Sequence, residues 1–289
     1  MSCNPKVVVF DLDETLGYFV EFGIFWDSLK EYINQNNINC NIDQHLFNKL
    51  LDLYPEFLRP NIITILQYLK KKKLSNKCSK LMIYTNNQGP KTWAHNIIKY
   101  FETKLDYKII DQVISAFKVR GQFVELCRTT HMKTHKDFIK CTKMPPNTEI
   151  CFLDDVFYPD MKNEKIYYIN LKPYIYDIEL DTMIDRFLKS NICIIDDPNL
   201  CKKQILNTSE KYNYIYTEKS NIEYSVDKVI SKKILHHLHI FFNKPIINVT
   251  DITFTENKNQ SKNQTKKQLI KNQIHKKQVT NKNKTVKRK

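Results

Sequence analysis

KVVVFDLDETL, residues 6–16, is the stretch that decides how this chain folds. Its Val-rich apolar run is typical of a strand buried on both faces. Asp11 and Asp13 follow directly, at the carboxyl end of that strand, where open α/β sheets bind ligands. Strand alternation directs the two side chains differently, so they could serve different purposes. An acidic turn is the alternative, but the apolar strand before the pair and Glu-Thr-Leu after it favour a catalytic site.

Two more apolar runs end in polar residues of the same kind. Leu81-Met82-Ile83-Tyr84 leads into Thr85, and Ile150-Cys151-Phe152-Leu153 leads into Asp154 and Asp155. A hydroxyl at a strand end can hold a phosphoryl oxygen, although Thr85 could equally cap the next helix. Two adjacent carboxylates repel each other unless a cation lies between them or one is protonated. Mg²⁺, which prefers oxygen ligands, is the simplest partner for that pair.

A candidate cation precedes a predicted helix start. Thr134 and Asp137 have the spacing of a capping box, so a helix is expected to begin there. Lys133 comes just before the cap, in the loop facing the site, whereas Lys136 should lie inside the first turn. We therefore favour Lys133 as the cation of the site and keep Lys136 as the alternative. Arg128 is a weaker candidate for contact with an anion, as is Arg120, and a surface charge is the simpler interpretation of both.

These residues together resemble the haloacid dehalogenase superfamily of hydrolases. DLDETL matches its first motif, DxDx[TV], in a form similar to the phosphatases of the RNA polymerase II C-terminal domain and the NLI-interacting-factor-like enzymes. Thr85 matches the second motif, and Asp154-Asp155 matches the fourth. Arg59-Pro60 also begins a helix as in the C-terminal-domain phosphatases. Asp155 departs from the small members of that group, which carry Asn there, but suits the wider superfamily.

The resemblance implies a role for each matched residue. Asp11 would be the nucleophile that becomes an aspartyl-phosphate, and Asp13 the general acid and base, whose main-chain carbonyl helps to hold Mg²⁺. Thr85 and Lys133, or alternatively Lys136, would stabilise the transferred phosphoryl group. The implied metal set is Asp11, Asp13, Asp154 and Asp155. Backbone amides after Asp11 would complete the phosphate site.

The resemblance and the hydrophobic pattern imply an α/β, Rossmann-like fold: a parallel sheet of about five strands flanked by helices. It divides the chain into a phosphatase domain, residues 1–190, an extension of unknown role, residues 191–255, and a tail, residues 256–289. The segment after the first motif is a small insert of about 40 residues rather than a large cap domain. Within it, the aromatic residues 18–26 are interpreted as partly core, followed by a helix capped by Asp27.

Charge is concentrated at the end of the chain. The net charge is +15, from 46 basic and 31 acidic residues. Residues 256–289 hold 12 Lys or Arg and one Glu, or +11, which leaves 34 basic and 30 acidic residues, or +4, in residues 1–255. The tail has almost no apolar content, so we predict that it is disordered. It could act as a nuclear address, as a nucleic-acid tether or simply as a solubilising segment.

Composition also limits the cellular compartment in which the protein is expected. The eight cysteines form no CxxC pair and several lie in apolar segments, so buried, reduced thiols are expected. The first strand follows the first residue almost at once, which leaves no room for a signal peptide. No apolar run approaches the length of a membrane span. An intracellular, soluble protein, cytoplasmic or nuclear, with no membrane contact is the expectation; the sequence does not indicate its oligomeric state.

The leading hypothesis is a Mg²⁺-dependent phosphomonoester hydrolase that acts through an aspartyl-phosphate. The small insert and the resemblance favour phosphoserine or phosphothreonine on a protein as the substrate. A phosphatase of nucleic-acid ends, recruited by the basic tail, is one alternative. A binding or scaffold protein that keeps the fold without catalysis is another, although a scaffold need not retain the full acidic set.

Overall fold

A parallel sheet is the centre of the fold. The structure, a computed structural model, describes residues 4–190, 192–243 and 252–253. The strands of the sheet are β1 Lys6–Phe10, β2 Lys80–Tyr84, β3 Gln112–Ile114, β6 Glu149–Asp154, β7 Ile166–Asn170 and β8 Ile252–Thr253, and a separate hairpin is β4 Lys118–Val119 with β5 Gln122–Phe123. Five strands form the body of the sheet in the order β3-β2-β1-β6-β7, and the two-residue β8 pairs at the β7 edge. The predicted α/β fold with about five parallel strands is confirmed.

Strand β1 lies in the middle because it can be buried on both faces. Val7, Val8 and Val9 are completely buried, and β1 pairs in parallel with β2 on one side and β6 on the other. The carboxyl ends of these three strands therefore lie side by side at one edge of the sheet. The register pairs Phe10 with Leu153, so the residues that follow, Asp11 and Asp154, lie at the same level at this edge of the sheet.

The sheet and four helices make up the first of two compact units. Its described parts are residues 4–18, 58–175, 220–243 and 252–253. The helices are α3 Ile62–Leu74, α4 Lys91–Leu105, α5 His135–Thr142 and α8 Asn221–Asn243. Helix α8, in the predicted extension, is tied to the sheet: Lys6 Nζ donates to the Phe241 carbonyl at 2.6 Å, and the Tyr167 hydroxyl is 2.8 Å from His237 Nδ1. That histidine thus has a packing role.

The second unit is helical and is built from two distant parts of the chain, residues 19–57 and 176–219. The insert after the first motif contributes α1 Val20–Gln35 and α2 Gln44–Asp52, and the later segment contributes α6 Leu180–Lys189 and α7 Pro198–Glu210. Aromatic side chains fill its interior in edge-to-face contacts. Phe22 and Phe47 have ring centroids 5.2 Å apart, and those of Phe25 and Phe187 are 5.8 Å apart.

One local expectation, the helix cap at Asp27, differs from the structure. Helix α1 begins at Val20, seven residues before Asp27, which instead pairs with Lys30 at 2.7 Å. The aromatic residues expected to be core are buried, but on this helix, because Phe22, Phe25 and Trp26 recur at helical spacing.

The cysteine prediction is wrong for four residues. Disulfides join Cys40 to Cys193 and Cys127 to Cys141, whereas Cys78, Cys151 and Cys201 are free and buried as expected. Sequence separations of 153 and 14 residues gave no spacing signal for either pair.

Among the described residues, no helix combines the length and the apolar character needed to cross a membrane.

Candidate active site

Three carboxylates meet at the edge where β1 and β6 end. Asp11, Asp154 and Asp155 each place one carboxylate oxygen within 4.8 Å of the others. The Asp11 amide donates to the Leu153 carbonyl at 2.9 Å, which extends the β1–β6 ladder into the site. Asp154 is 1% exposed as a side chain and Asp11 is 11% exposed. Asp11 is therefore the more accessible of these two carboxylates.

Lys133 is the cation of this cluster. Its Nζ donates to Asp11 Oδ1 at 2.5 Å and to Asp154 Oδ2 at 2.6 Å, and its side chain is 1% exposed. Thr134 caps α5 by accepting from the Asp137 amide at 3.0 Å, so Lys133 immediately precedes the helix. Lys136 is exposed, within the first turn of α5. The structure thus brings Lys133, and not Lys136, to the carboxylates.

The charges in this cluster do not balance. Asp11, Asp154 and Asp155 would contribute −3 when ionised, and Lys133 contributes +1, which leaves −2. Burial, and then the charge of Asp11, raise the pKa of Asp155 to about 7. Burial also raises the pKa of Asp11, against the opposing effect of Lys133. A divalent cation bound to these oxygens would remove the excess charge, and an all-oxygen donor set suits a hard ion such as Mg²⁺.

Asp13 lies outside this carboxylate cluster. Its Oδ2 accepts a hydrogen bond from Asn87 Nδ2 at 2.8 Å, and Asn87 Oδ1 accepts from the Gly89 amide at 2.8 Å. The main-chain N–H of Asn87 donates to Thr85 Oγ1 at 3.0 Å, and Thr85 is buried at the end of β2. Thr85 and Asp13 are therefore linked through one asparagine.

Arg59 fixes the turn after Asp13 through hydrogen bonds to main-chain carbonyls. The buried guanidinium donates to the carbonyls of Thr15 and Glu14, each at 2.6 Å, and to that of Lys172 at 2.9 Å. Burial lowers the pKa of Arg59 to about 10. Glu14 has a positive φ of 61°, a conformation that such bonds can hold in place. Thr15 then donates through Oγ1 to Asp155 Oδ1 at 3.1 Å.

The two arginine candidates lie outside the carboxylate cluster, although Arg128 contacts the main chain of Thr85. Arg120 is exposed at the tip of the β4–β5 hairpin, where Arg120 and Gly121 both have positive φ, as a type I′ turn requires. Arg128 is buried, and its hydrogen bonds go to main-chain carbonyls.

A pocket lies beside Thr85 and Asn87. It is lined by the start of α4 and by the region of the β4–β5 hairpin, through residues such as Ala94, Val119 and Val124.

Three residues of the site were missed in the sequence as functional candidates: Asn87, Thr15 and the Arg59 side chain. Asn87 belongs to the polar run after β2, so its position at a strand end was an available signal. Thr15 belongs to the first motif itself. For Arg59 the sequence offers only the Arg-Pro pair as a signal, because its contact with residues 14 and 15 bridges a sequence separation of more than 40 residues.

Comparisons with protein-family models, with curated proteins and with solved structures each found no match to this chain.

Proposed function

We propose that this protein is a Mg²⁺-dependent phosphomonoester hydrolase that forms an aspartyl-phosphate. The observation that carries the proposal is the buried pairing of Lys133 with Asp11 and Asp154 at adjacent strand ends, with Asp13 held apart by Asn87. One carboxylate is thereby placed beside a fixed positive charge, and a second, two residues away, has a different partner. A nucleophile and a separate proton donor need this division.

Each residue then has a step in the reaction. An oxygen of Asp11 attacks phosphorus, and the bond from phosphorus to the leaving oxygen breaks. Asp13 gives its proton to that oxygen, so the alcohol leaves neutral. Asp13 next takes a proton from water, which attacks the phosphorus of the aspartyl-phosphate and releases inorganic phosphate. Lys133 and the Thr85 hydroxyl would stabilise the negative charge on the transferred group.

The residues present fit the implied metal. Asp11 and Asp155 would hold Mg²⁺, with Asp154 and the main-chain carbonyl of Asp13 as further oxygen ligands. Asp154 already accepts from Lys133 through Oδ2 and from the Val156 amide through Oδ1 at 2.9 Å, so it also serves to orient the lysine. The ion would supply charge neutralisation and a fixed position for the phosphoryl oxygens.

The substrate we propose is phosphoserine or phosphothreonine on a protein. This part rests on the resemblance of residues 11–16, Thr85 and Asp154-Asp155 to the C-terminal-domain phosphatases. A phosphatase of nucleic-acid ends would use the same chemistry on a different carrier.

The test is a substrate panel with a nucleophile control. Phosphopeptides, phosphorylated oligonucleotides and small phosphoesters are assayed with Mg²⁺, for the wild type and for Asp11→Asn. We expect turnover by the wild type and a fall of about 10⁴-fold or more in kcat for the variant, as for loss of other enzyme nucleophiles. Activity that survives Asp11→Asn would refute the mechanism, and a folded wild type that hydrolyses no phosphomonoester would favour the scaffold alternative.

A further inference from the structure

Arg128 is a buried cation close in sequence to Lys133 but with different partners. It is 2% exposed, and its guanidinium lies 4.8 Å from the ring centroid of Tyr84. Burial lowers its pKa. A buried charge is costly unless its donors are satisfied, so its bonds indicate what the residue is for. Within the described residues, none of its hydrogen bonds reaches a carboxylate of the candidate active site.

All four hydrogen bonds of Arg128 end on main-chain carbonyls. Nη1 donates to Thr85 at 3.2 Å and to Ser115 at 2.8 Å, and these residues directly follow β2 and β3. Nη2 donates to His131 at 3.0 Å and to Met132 at 3.3 Å, the two residues before Lys133. One guanidinium therefore connects two strand ends to the loop that delivers the lysine.

We propose that Arg128 is a positioning residue for this site, which fixes the backbone before Lys133 against the strand end that carries Thr85. The planar fork of Arg spreads its donors over three nitrogens and can serve several separated carbonyls at once, whereas the three donors of Lys all lie on one nitrogen. Tyr84 completes the arrangement: its ring contacts Arg128, and Lys133 Nζ lies 5.7 Å from its centroid. The catalytic part of this inference rests on the proposed function, but the placement of Lys133 does not.

The first experiment measures the burial of Lys133 directly and needs no activity. Full-length wild type and Arg128→Met are treated with formaldehyde and borohydride, and methylation of each lysine is followed by mass spectrometry. We expect Lys133 to react slowly in the wild type and about tenfold faster in Arg128→Met, because local opening exposes it. Leu238→Ala, which removes a fully buried side chain of α8, is the control for general destabilisation and should leave the Lys133 rate unchanged.

The second experiment is a double-mutant cycle on turnover of 4-nitrophenyl phosphate. If Arg128 acts through Lys133, Arg128→Met lowers kcat about 10- to 100-fold alone, as misplacement of a catalytic group does, and has little further effect in a Lys133→Met background. A purely structural role, or direct contact with the phosphoryl group, would give the same loss in both backgrounds. Arg128→Lys keeps the charge but not the fork, so we expect it to restore little of the lost kcat.

The outcomes separate this inference from the proposed function. Unchanged methylation of Lys133 in folded Arg128→Met, or additive effects on kcat, would overturn the positioning role while leaving the phosphatase proposal intact. If the wild type hydrolyses nothing, the proposed function fails and the methylation rates alone decide the placement of Lys133. Should Arg128→Met not fold, Arg128→Lys takes its place in the methylation experiment, because it also lacks the planar fork.

Discussion

A single hydrogen bond distinguishes Asp13 from the other carboxylates. Asn87 donates to Asp13, and its own amide oxygen is held by the Gly89 N–H, so the asparagine has one orientation available. That orientation holds Asp13 Oδ2 in place, and in the proposed reaction Asp13 gives a proton to the leaving oxygen and then takes one from water. Asn87 thus fixes where the proposed acid points.

Substitution Asn87→Ala should therefore damage proton transfer more than phosphoryl binding. We expect kcat to fall about 10²-fold for an alkyl phosphate, whose leaving oxygen needs the proton. The loss should be much smaller for 4-nitrophenyl phosphate, whose leaving group departs as a stable anion. A series of leaving groups of graded pKa measures the difference. Gln88→Ala is the matched control, since Gln88 donates to the Asn86 carbonyl in the same loop. Equal losses across the series would contradict this role.

What the sequence can predict about single residues depends on how local their signal is. Asp11, Thr85 and Asp154 stand directly after apolar runs, so the strand pattern alone places them at one edge of the sheet. Lys133 was favoured because the cap at Thr134 is a local feature as well. The contacts of Arg128 and Arg59 are made with segments distant in the sequence. Their side chains look like ordinary surface charges until the fold is known.

At the scale of elements, the two disulfides close loops of different length. Cys127–Cys141 joins the loop before Lys133 to α5 across 14 residues, and Cys40–Cys193 joins the two chain segments of the helical unit across 153. The chain-entropy account gives about 3 kcal/mol for a loop of about 15 residues and about 5 kcal/mol for one of about 100 or more. Each bond should therefore stabilise mainly the unit in which it lies.

Replacement of each pair by serine tests that assignment. Cys127→Ser with Cys141→Ser should lower the free energy of unfolding of the sheet-containing unit by about 3 kcal/mol. Cys40→Ser with Cys193→Ser should act on the helical unit. The two tryptophans report separately, because Trp93 lies in α4 and Trp26 in α1. Single-tryptophan variants followed by urea denaturation would resolve the two transitions.

Alkylation of the unfolded, unreduced protein provides the check on the bonds themselves. Cys78, Cys151 and Cys201 should react and the four paired cysteines should not. Labelling of the four paired cysteines as well would contradict the pairing. The elements that position the site were predictable because hydrophobic period and capping are local. The packing of α1 against α6 and α7 was not predictable, since it joins segments more than 100 residues apart in the sequence.

At the scale of the whole molecule, one buried acid contributes to how stability depends on pH. Glu21, in α1, is 2% exposed, and its carboxylate accepts from the Tyr214 hydroxyl. Burial, and then the charge of Asp177, raise the pKa of Glu21 well above its usual range. The folded helical unit therefore keeps this proton at pH values where the unfolded chain has released it. The contribution of Glu21 to stability is therefore fully present below the ordinary glutamate pKa and is lost as the pH rises above it.

Substitution Glu21→Gln should remove that dependence. Between pH 5 and pH 7, Glu21 is expected to reduce the free energy of unfolding by up to about 1.4 kcal/mol per pH unit. The glutamine variant should show a flatter profile and greater stability at pH 7. Urea denaturation at several pH values, with Trp26 as the only tryptophan in a Trp93→Phe background, measures the helical unit. An unchanged slope would show that Glu21 is ionised in the folded protein.

Positive charge is concentrated in the tail of the chain. Residues 256–289 carry +11 of the total of +15, and they lie outside the described residues. If this segment binds nucleic acid, its affinity must come from counterion release, so log K should fall steeply with log salt concentration. A chain ending at residue 255 keeps β8 and every residue of the candidate active site. We expect it to lose most of its affinity for a DNA duplex.

The same shortened chain should hydrolyse 4-nitrophenyl phosphate within about twofold of the full chain, because no buried contact of the described site is removed. A full-length variant with glutamine at the tail's 12 Lys and Arg positions separates charge from length, and it should bind DNA as poorly as the shortened chain. Binding is measured by fluorescence anisotropy from 50 to 200 mM salt. If the shortened chain kept its affinity, the +4 of residues 1–255 would have to supply the binding surface, and the tail would be left with a solubilising or targeting role.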